Sequence, residues 1–176
     1  MNKSDLKTLY SEDQIKTRIK ALAKDITSDY RNINEPLVVI SVLKGAFIFT
    51  ADLIRNFDIS IQLEFVKISS YGSNKTSSGK IEAPILLLPD LSKKHILIVE
   101  DIVDSGRTVA FLKEYISTQY KPESLRVACL LSKPSRREVE INPEYVGFVV
   151  DDYFLVGYGL DYAEDYRHLP YLAICD

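Results

Sequence analysis

The residues best suited to chemistry stand together in one run, Val99-Glu100-Asp101-Ile102-Val103-Asp104-Ser105-Gly106-Arg107-Thr108. Two adjacent carboxylates, Glu100 and Asp101, follow an apolar stretch, and a third, Asp104, leads into a Ser-Gly-Arg-Thr turn. Where such a turn opens a helix, free backbone N–H groups and the positive end of the helix dipole form an anion cradle. Gly106 lets the backbone approach a ligand closely, and the hydroxyls of Ser105 and Thr108 add donors. Carboxylates beside a phosphate repel it unless a hard cation or sugar hydroxyls lie between them, and magnesium is the usual cation there. The run therefore points to a phosphorylated ligand that carries both hydroxyls and a metal. Taken alone, the same carboxylates also fit helix caps or solvated charges at a strand end, and Asp104 suits an N-cap under either reading.

A turn of this kind needs a buried strand before it and a helix after it. Residues 95–99 read as the strand and residues 109–120 as the helix, with Leu112, Tyr115 and Ile116 on its apolar side. Upstream, Ser11-Glu12-Asp13-Gln14 has the form of a capping box. Ile15, Ile19, Leu22, Ile26 and Tyr30 continue it at helical spacing until Pro36. Residues 37–43 form a valine-rich run suited to a strand buried on both faces, broken by Lys44-Gly45. A helix is expected over 46–57. Ile61, Leu63 and Phe65 alternate with Gln62 and Glu64, as in a strand with one wet face. The polar stretch 69–80 reads as a mobile loop and 85–88 as a short strand. Further strands are expected at 125–131, 145–150 and 171–174. Strands alternating with helices predict an α/β fold, a mostly parallel sheet with helices on both faces, formed by residues 1–176 as one domain.

Composition narrows the partners. The chain has 176 residues, 46% hydrophobic and 27% charged, an ordinary balance for a globular protein. A formal charge of −3 offers no broad basic face and argues against nucleic acid as a partner. Cys129 and Cys175 both lie in apolar runs and read as buried thiols rather than as a disulfide or metal pair. His95 and His168 match no zinc spacing. Without a signal-peptide pattern or an apolar stretch of membrane-spanning length, the expectation is a cytoplasmic protein with no membrane partner.

The run at 99–108 resembles the phosphoribosyl-pyrophosphate signature of type I phosphoribosyltransferases. Four more segments, in the family's order, resemble its hypoxanthine-guanine branch. They are Val42-Leu43-Lys44-Gly45, Ser70-Tyr71-Gly72, Leu131-Ser132-Lys133, and Phe154-Leu155-Val156-Gly157-Tyr158-Gly159-Leu160-Asp161-Tyr162 with Arg167 beyond. The resemblance covers nearly the whole chain. It implies a small hood beside the sheet, a homodimer or homotetramer, and magnesium as cofactor. It also implies a reaction: transfer of the 5-phosphoribosyl group from phosphoribosyl pyrophosphate to N9 of hypoxanthine or guanine.

Residue by residue, the resemblance implies that Glu100 and Asp101 hold the ribose hydroxyls and the magnesium region, with Asp161 at a second magnesium. The turn Asp104, Ser105, Gly106, Arg107 and Thr108 would bind the 5′-phosphate, and Asp104 would take the proton from N7 of the purine. The backbone of Lys44 and Gly45 would grip pyrophosphate after a non-proline cis bond, with Arg167 reaching the same group. Ser70 and Tyr71 would cover the cleft. Lys133 would donate to O6 of the purine, Phe154 would stack on it, and the Leu155 backbone would meet its edge. A regulatory protein of the same fold that reads RNA through Lys133, Arg136 and Arg137 is one alternative. Another is an enzyme with a different acceptor base, xanthine in particular. A metal-dependent phosphatase is disfavoured, because its Asp-x-Asp arrangement is missing.

Overall fold

The computed structural model describes residues 6–68 and 88–175. In chain order the elements are β1 (Lys7–Tyr10), α1 (Glu12–Tyr30), β2 (Leu37–Leu43), α2 (Phe47–Ile54), β3 (Ile61–Lys67), β4 (His95–Val103), α3 (Arg107–Tyr120), β5 (Ser124–Ser132), β6 (Tyr145–Val149), β7 (Leu155–Val156) and β8 (Leu172–Ile174). A single 3₁₀ turn, Pro134–Arg136, follows β5.

Five strands form a sheet in the order β3-β2-β4-β5-β6, every neighbouring pair parallel. Alternate residues of β2 feed two separate cores, as a strand buried on both faces must. Leu37 and Val39 join the cluster built with Ile15, Ile19, Leu22 and Ile26 of α1 and Phe49 and Leu53 of α2. Val38, Ile40 and Val42 join the opposite cluster with Val109, Leu112 and Ile116 of α3. The capping box of α1 forms as its sequence predicts: Ser11 Oγ accepts the Gln14 N–H at 3.3 Å, and the Gln14 side chain accepts the Ser11 N–H at 2.9 Å. From β2 the chain winds outward to β3, whereas β4, β5 and β6 build in the other direction. The order thus reverses between β2 and β4, the place where an open parallel sheet leaves a crevice beyond its carboxyl ends. A second, three-stranded antiparallel sheet, β1-β8-β7, supplies the expected hood, with its own core of Val156, Tyr166, Leu169, Ala173 and Cys175.

Several expectations need correction. Strand β4 runs to Val103 rather than ending at 99, because the ladder with β5 continues through Glu100↔Cys129 and Val103↔Ser132. Its pairing with β2 stops at Ser41↔Val99, so Glu100 and Asp101 are strand residues beside a gap. Helix α3 begins at Arg107, and its N-cap is Gly106 in the left-handed region at φ 84°, with no side-chain cap. Asp104 is therefore not the N-cap. On β3 the alternation fails at its end: Phe65 is 50% exposed and Val66 is buried. As an edge strand β3 has a neighbour on one side only, and the layer that covers Ile61 and Leu63 leaves Phe65 open. The strand expected at 171–174 belongs to the hood, and β1 carried no recognised signal. The loop expected at 69–80, and residues 85–87 of the expected short strand, lie outside the described residues. Cys129 and Cys175 are both buried, and neither is in a disulfide. Among the described residues no helix is long and apolar enough to cross a membrane.

Candidate active site

Because the sheet is parallel, the carboxyl ends of its strands deliver side chains to one edge. Strand β2 leads into Lys44-Gly45, β4 into Asp104, β5 into Lys133 and β6 into Phe154. At the centre lies Glu100, 6% exposed, whose Oε2 has no hydrogen-bond partner among the described residues. Burial, and next the neighbouring charge of Asp101, push its carboxyl well above the usual carboxylate range. The Asp101 Oδ1 accepts the Ile102 N–H at 2.8 Å. Its Oδ2 lies against Gly45 so closely that a Cβ there would stand 1.5 Å from it. On its other side Gly45 meets Gly159, at φ +102°, where an added Cβ would stand 2.1 Å from the Gly45 carbonyl oxygen. The Leu43–Lys44 peptide bond is cis, as the resemblance implies.

The turn before α3 has its carbonyls occupied. The Val103 carbonyl accepts the Lys133 N–H at 3.0 Å, and that of Ser105 accepts the N–H groups of Glu138 at 3.0 Å and Val139 at 3.2 Å. Arg137 Nη1 donates to the carbonyls of both Val103 and Asp104. Ser105 Oγ accepts the Arg107 N–H at 3.4 Å, and Thr108 stands half-buried in the first turn of α3. The Arg107 guanidinium is exposed and paired with Glu138. The Asp104 carboxylate takes Arg136 Nε at 3.3 Å, and Arg136 Nη1 also reaches Asp152 at 3.3 Å.

Lys133 is buried, and its Nζ donates to the Tyr153 carbonyl at 2.6 Å with Asp152 at 3.7 Å. Phe154 is half-exposed and meets Tyr162 edge to face at 5.6 Å between ring centroids, while Leu155 is buried. In the hood, Arg167 Nη2 pairs with Asp161 at 2.7 Å and Glu164 at 3.5 Å, and Arg167 Nη1 donates to the Gly159 carbonyl at 2.8 Å. Glu164 in turn accepts from Lys44 Nζ at 2.8 Å, and its own N–H donates to Asp161 Oδ2 at 2.8 Å. Left-handed backbone at Ala163 and Glu164 makes that turn. The hydrogen bond from Lys44, with Arg167 nearby, holds the Glu164 carboxyl below its ordinary range.

The structure thus gathers Lys44, Gly45, Glu100, Asp101, Asp161 and Arg167 through direct contacts, and sets Asp104 to Thr108, Lys133, Phe154 and Leu155 at the same edge. Ser70 and Tyr71 lie outside the described residues. The metal set Glu100, Asp101 and Asp161 does not converge: among the described residues no three His, Cys, Asp or Glu side chains could hold a metal by themselves. Asp161 is instead committed to Arg167 and to the Glu164 N–H. Nor do Lys133, Arg136 and Arg137 form a free basic patch, since carbonyls and carboxylates take all three. Sequence reasoning missed Glu164 and Asp152 outright, and placed Arg136 and Arg137 only in the basic patch of the RNA-reading alternative. The Arg-Arg pair next to Lys133 was the one signal that could have found the latter two.

The family described as phosphoribosyl transferase domain matches residues 5–163. The chain belongs to the phosphoribosyltransferase family. It is 42% identical over 171 residues to the hypoxanthine phosphoribosyltransferase of Escherichia coli, covering 97% of this chain and 96% of that protein. To the hypoxanthine-guanine phosphoribosyltransferase of Aquifex aeolicus it is 47% identical, covering 94% and 92%. A crystal structure of a hypoxanthine-guanine phosphoribosyltransferase from Bacillus anthracis, with HEPES in its active site, matches at a TM-score of 0.87 and 42% identity, over 97% of this chain and 98% of that one. This phosphoribosyltransferase is therefore an enzyme of the transferase class with the type I fold, and its crevice lies where the two halves of the sheet diverge.

Proposed function

We propose that the enzyme serves purine salvage, transferring the 5-phosphoribosyl group of phosphoribosyl pyrophosphate to N9 of hypoxanthine or guanine. The products are then inosine or guanosine 5′-monophosphate and pyrophosphate. One observation carries this reading: the Asp101 carboxylate touches the Gly45 backbone, so sugar-binding acids and a main-chain anion grip meet at the switch point of the sheet. The relatives in Escherichia coli and Aquifex aeolicus named above support the choice of base.

On this reading the turn of Asp104, Ser105, Gly106, Arg107 and Thr108 holds the 5′-phosphate at the start of α3, whose dipole favours an anion. Glu100 and Asp101 bind the ribose hydroxyls. Lys44, Gly45 and Arg167 hold pyrophosphate, and Ser70 and Tyr71 cover it. N9 attacks the anomeric carbon while its bond to the pyrophosphate oxygen breaks, the electron pair leaving with pyrophosphate. The proton on N7 passes to Asp104. Lys133 spends one of its three donors on the Tyr153 carbonyl at 2.6 Å and has others for O6 of an oxopurine. The 6-amino group of adenine would face that donor with a donor and be rejected. Phe154 stacks on the base and the Leu155 backbone meets its edge.

Magnesium fits this crevice. It binds through one or two carboxylates plus substrate oxygens, and Glu100 presents a buried oxygen without a partner beside Asp101. Those two residues would hold it, and when bound it would neutralise charge on the leaving group. We place the enzyme in the cytoplasm as a homodimer or homotetramer of single-domain chains. Phe47, 43% exposed, and Phe65, 50% exposed, are apolar surface that assembly would cover.

The test is nucleotide formation from phosphoribosyl pyrophosphate with hypoxanthine, guanine, xanthine or adenine, with and without magnesium, beside Asp104→Asn. Turnover of an oxopurine should fall by roughly 10²- to 10⁴-fold in the variant. No turnover with any base would end the enzyme reading, and equal use of adenine would end the role given to Lys133.

A further inference from the structure

We propose that Arg137 is a positioning residue that sets the direction of the phosphate-binding turn, an inference that rests on the function proposed above. In a planar trans peptide the C=O of one residue and the N–H of the next point in opposite directions. Whatever fixes the carbonyls of Val103, Asp104 and Ser105 therefore also aims the N–H groups of Asp104, Ser105 and Gly106. All three carbonyls are fixed from one side. Arg137 Nη1 takes that of Val103, which the Lys133 N–H also holds, and that of Asp104, for which it is the only partner among the described residues. The N–H groups of Glu138 and Val139 take that of Ser105. The three opposing N–H groups have no acceptor among the described residues. They form a short run of donors that continues into the first turn of α3, an arrangement suited to phosphate oxygens.

Arg137 can hold this position because its remaining donors are anchored elsewhere. Nη2 donates to Ser132 Oγ at 2.8 Å and Nε to the Ile141 carbonyl at 3.1 Å. The guanidinium thus ties the end of β4 to the end of β5 and to the segment after the 3₁₀ turn. A planar fork of five donors suits such a task, and a lysine, with one nitrogen, cannot reach the same set. The packing of the turn points the same way: a Cβ added to Gly106 would stand 3.5 Å from Arg137 Cδ and 3.3 Å from the Val139 carbonyl oxygen. The cradle is seated on this segment, with its donors turned outward.

The test compares inhibition by guanosine 5′-monophosphate with inhibition by guanosine, which lacks the 5′-phosphate, in wild type, Arg137→Met and Arg137→Lys. Wild type should strongly prefer the monophosphate. If it shows no such preference, the proposed function fails before any variant is considered. In Arg137→Met the preference should shrink by roughly 10- to 100-fold, the scale of effect expected when a binding group is displaced by about 1 Å. Guanosine inhibition should stay constant. Arg137→Lys, which keeps charge and bulk, should lose a smaller share of the preference, and it carries the test if the methionine variant does not fold. Equal weakening of both inhibitors would show that Arg137 only supports the fold, and an unchanged preference in Arg137→Lys would show that the fork geometry is irrelevant. Either result overturns the inference.

Discussion

On the α3 side of the crevice, the carbonyls of Val103, Asp104 and Ser105 are bonded to the 137–139 segment, and the N–H groups opposite them are free among the described residues. On the hood side, Lys44 and Arg167 are already matched with Glu164 and Asp161. A phosphate that meets the first side adds to bonds that stay in place, whereas an anion that meets the second must compete with carboxylates for its cations. The first is preorganised and the second exchanges partners. The contrast suits the proposed chemistry, in which the 5′-phosphate stays on the sugar throughout and pyrophosphate has to leave.

The largest effect is expected where the two sides touch. In Gly45→Ala the new Cβ would stand 1.5 Å from Asp101 Oδ2, the free end of a flexible side chain. The side chain can swing aside, so the fold should survive with a shift in melting temperature of about 2–4 °C or less. Asp101 would nevertheless leave its place against the backbone. Steady-state kinetics should then show kcat/KM reduced by about 10²-fold, as for a catalytic group misplaced by roughly 1 Å. Near-normal kcat/KM would mean that the contact between the two sides is incidental.

How much of this was legible in sequence depends on the range of the interactions. Strand β2 and the capping box of α1 could be read residue by residue, because apolar patterning and local side-chain chemistry decide them. The strand, turn and helix around Gly106 could be read as well, but not the cap of α3, which is Gly106 rather than Asp104. The length of β4 could not, because it depends on β5 offering a ladder as far as Ser132 while β2 stops pairing at Ser41. Phe65 was misassigned because alternation does not show which residues of an edge strand are covered. Glu164 was missed because its role exists only once residues 44 and 164, far apart in the chain, meet. Arg137 read as part of a basic patch for the same reason: apart from the Ser132 hydroxyl its partners are backbone carbonyls, which have no letter of their own.

An intermediate effect is expected at Glu100, which lies between the two sides and is paired with neither. Burial and then the charge of Asp101 raise its pKa in the folded state. Its contribution to stability is therefore fully present below the ordinary glutamate value of about 4.3 and is lost as pH rises through the raised value. At neutral pH burial of this carboxyl therefore works against folding of the metal-free protein, because the unfolded chain ionises more readily than the folded one. Glu100→Gln should melt higher than wild type at pH 7 in chelator, by about 2–4 °C per kcal/mol of relief, and the gap should close below about pH 4. A lower melting temperature at pH 7 would show that Glu100 has a stabilising partner and that the crevice holds no unpaired charge between its two sides.

The smallest effect tests the exchange itself. Glu164 is exposed, and its bonds are with Lys44 at 2.8 Å and Arg167 at 3.5 Å. Exposed ion pairs contribute little, so Glu164→Gln should not disturb the fold. It should release Lys44 from its competing carboxylate and leave Arg167 to Asp161 alone, so pyrophosphate should inhibit the variant roughly two- to fivefold more tightly than wild type. The difference should fade in about 1 M salt, where screening acts within about 3 Å. Product release would slow in step, lowering kcat under conditions where pyrophosphate departure limits turnover. Weaker inhibition in the variant would mean instead that Glu164 orients Lys44 and Arg167 for the ligand. In that case the hood side would be as preorganised as the α3 side, and the two would differ only in using side chains where the other uses backbone.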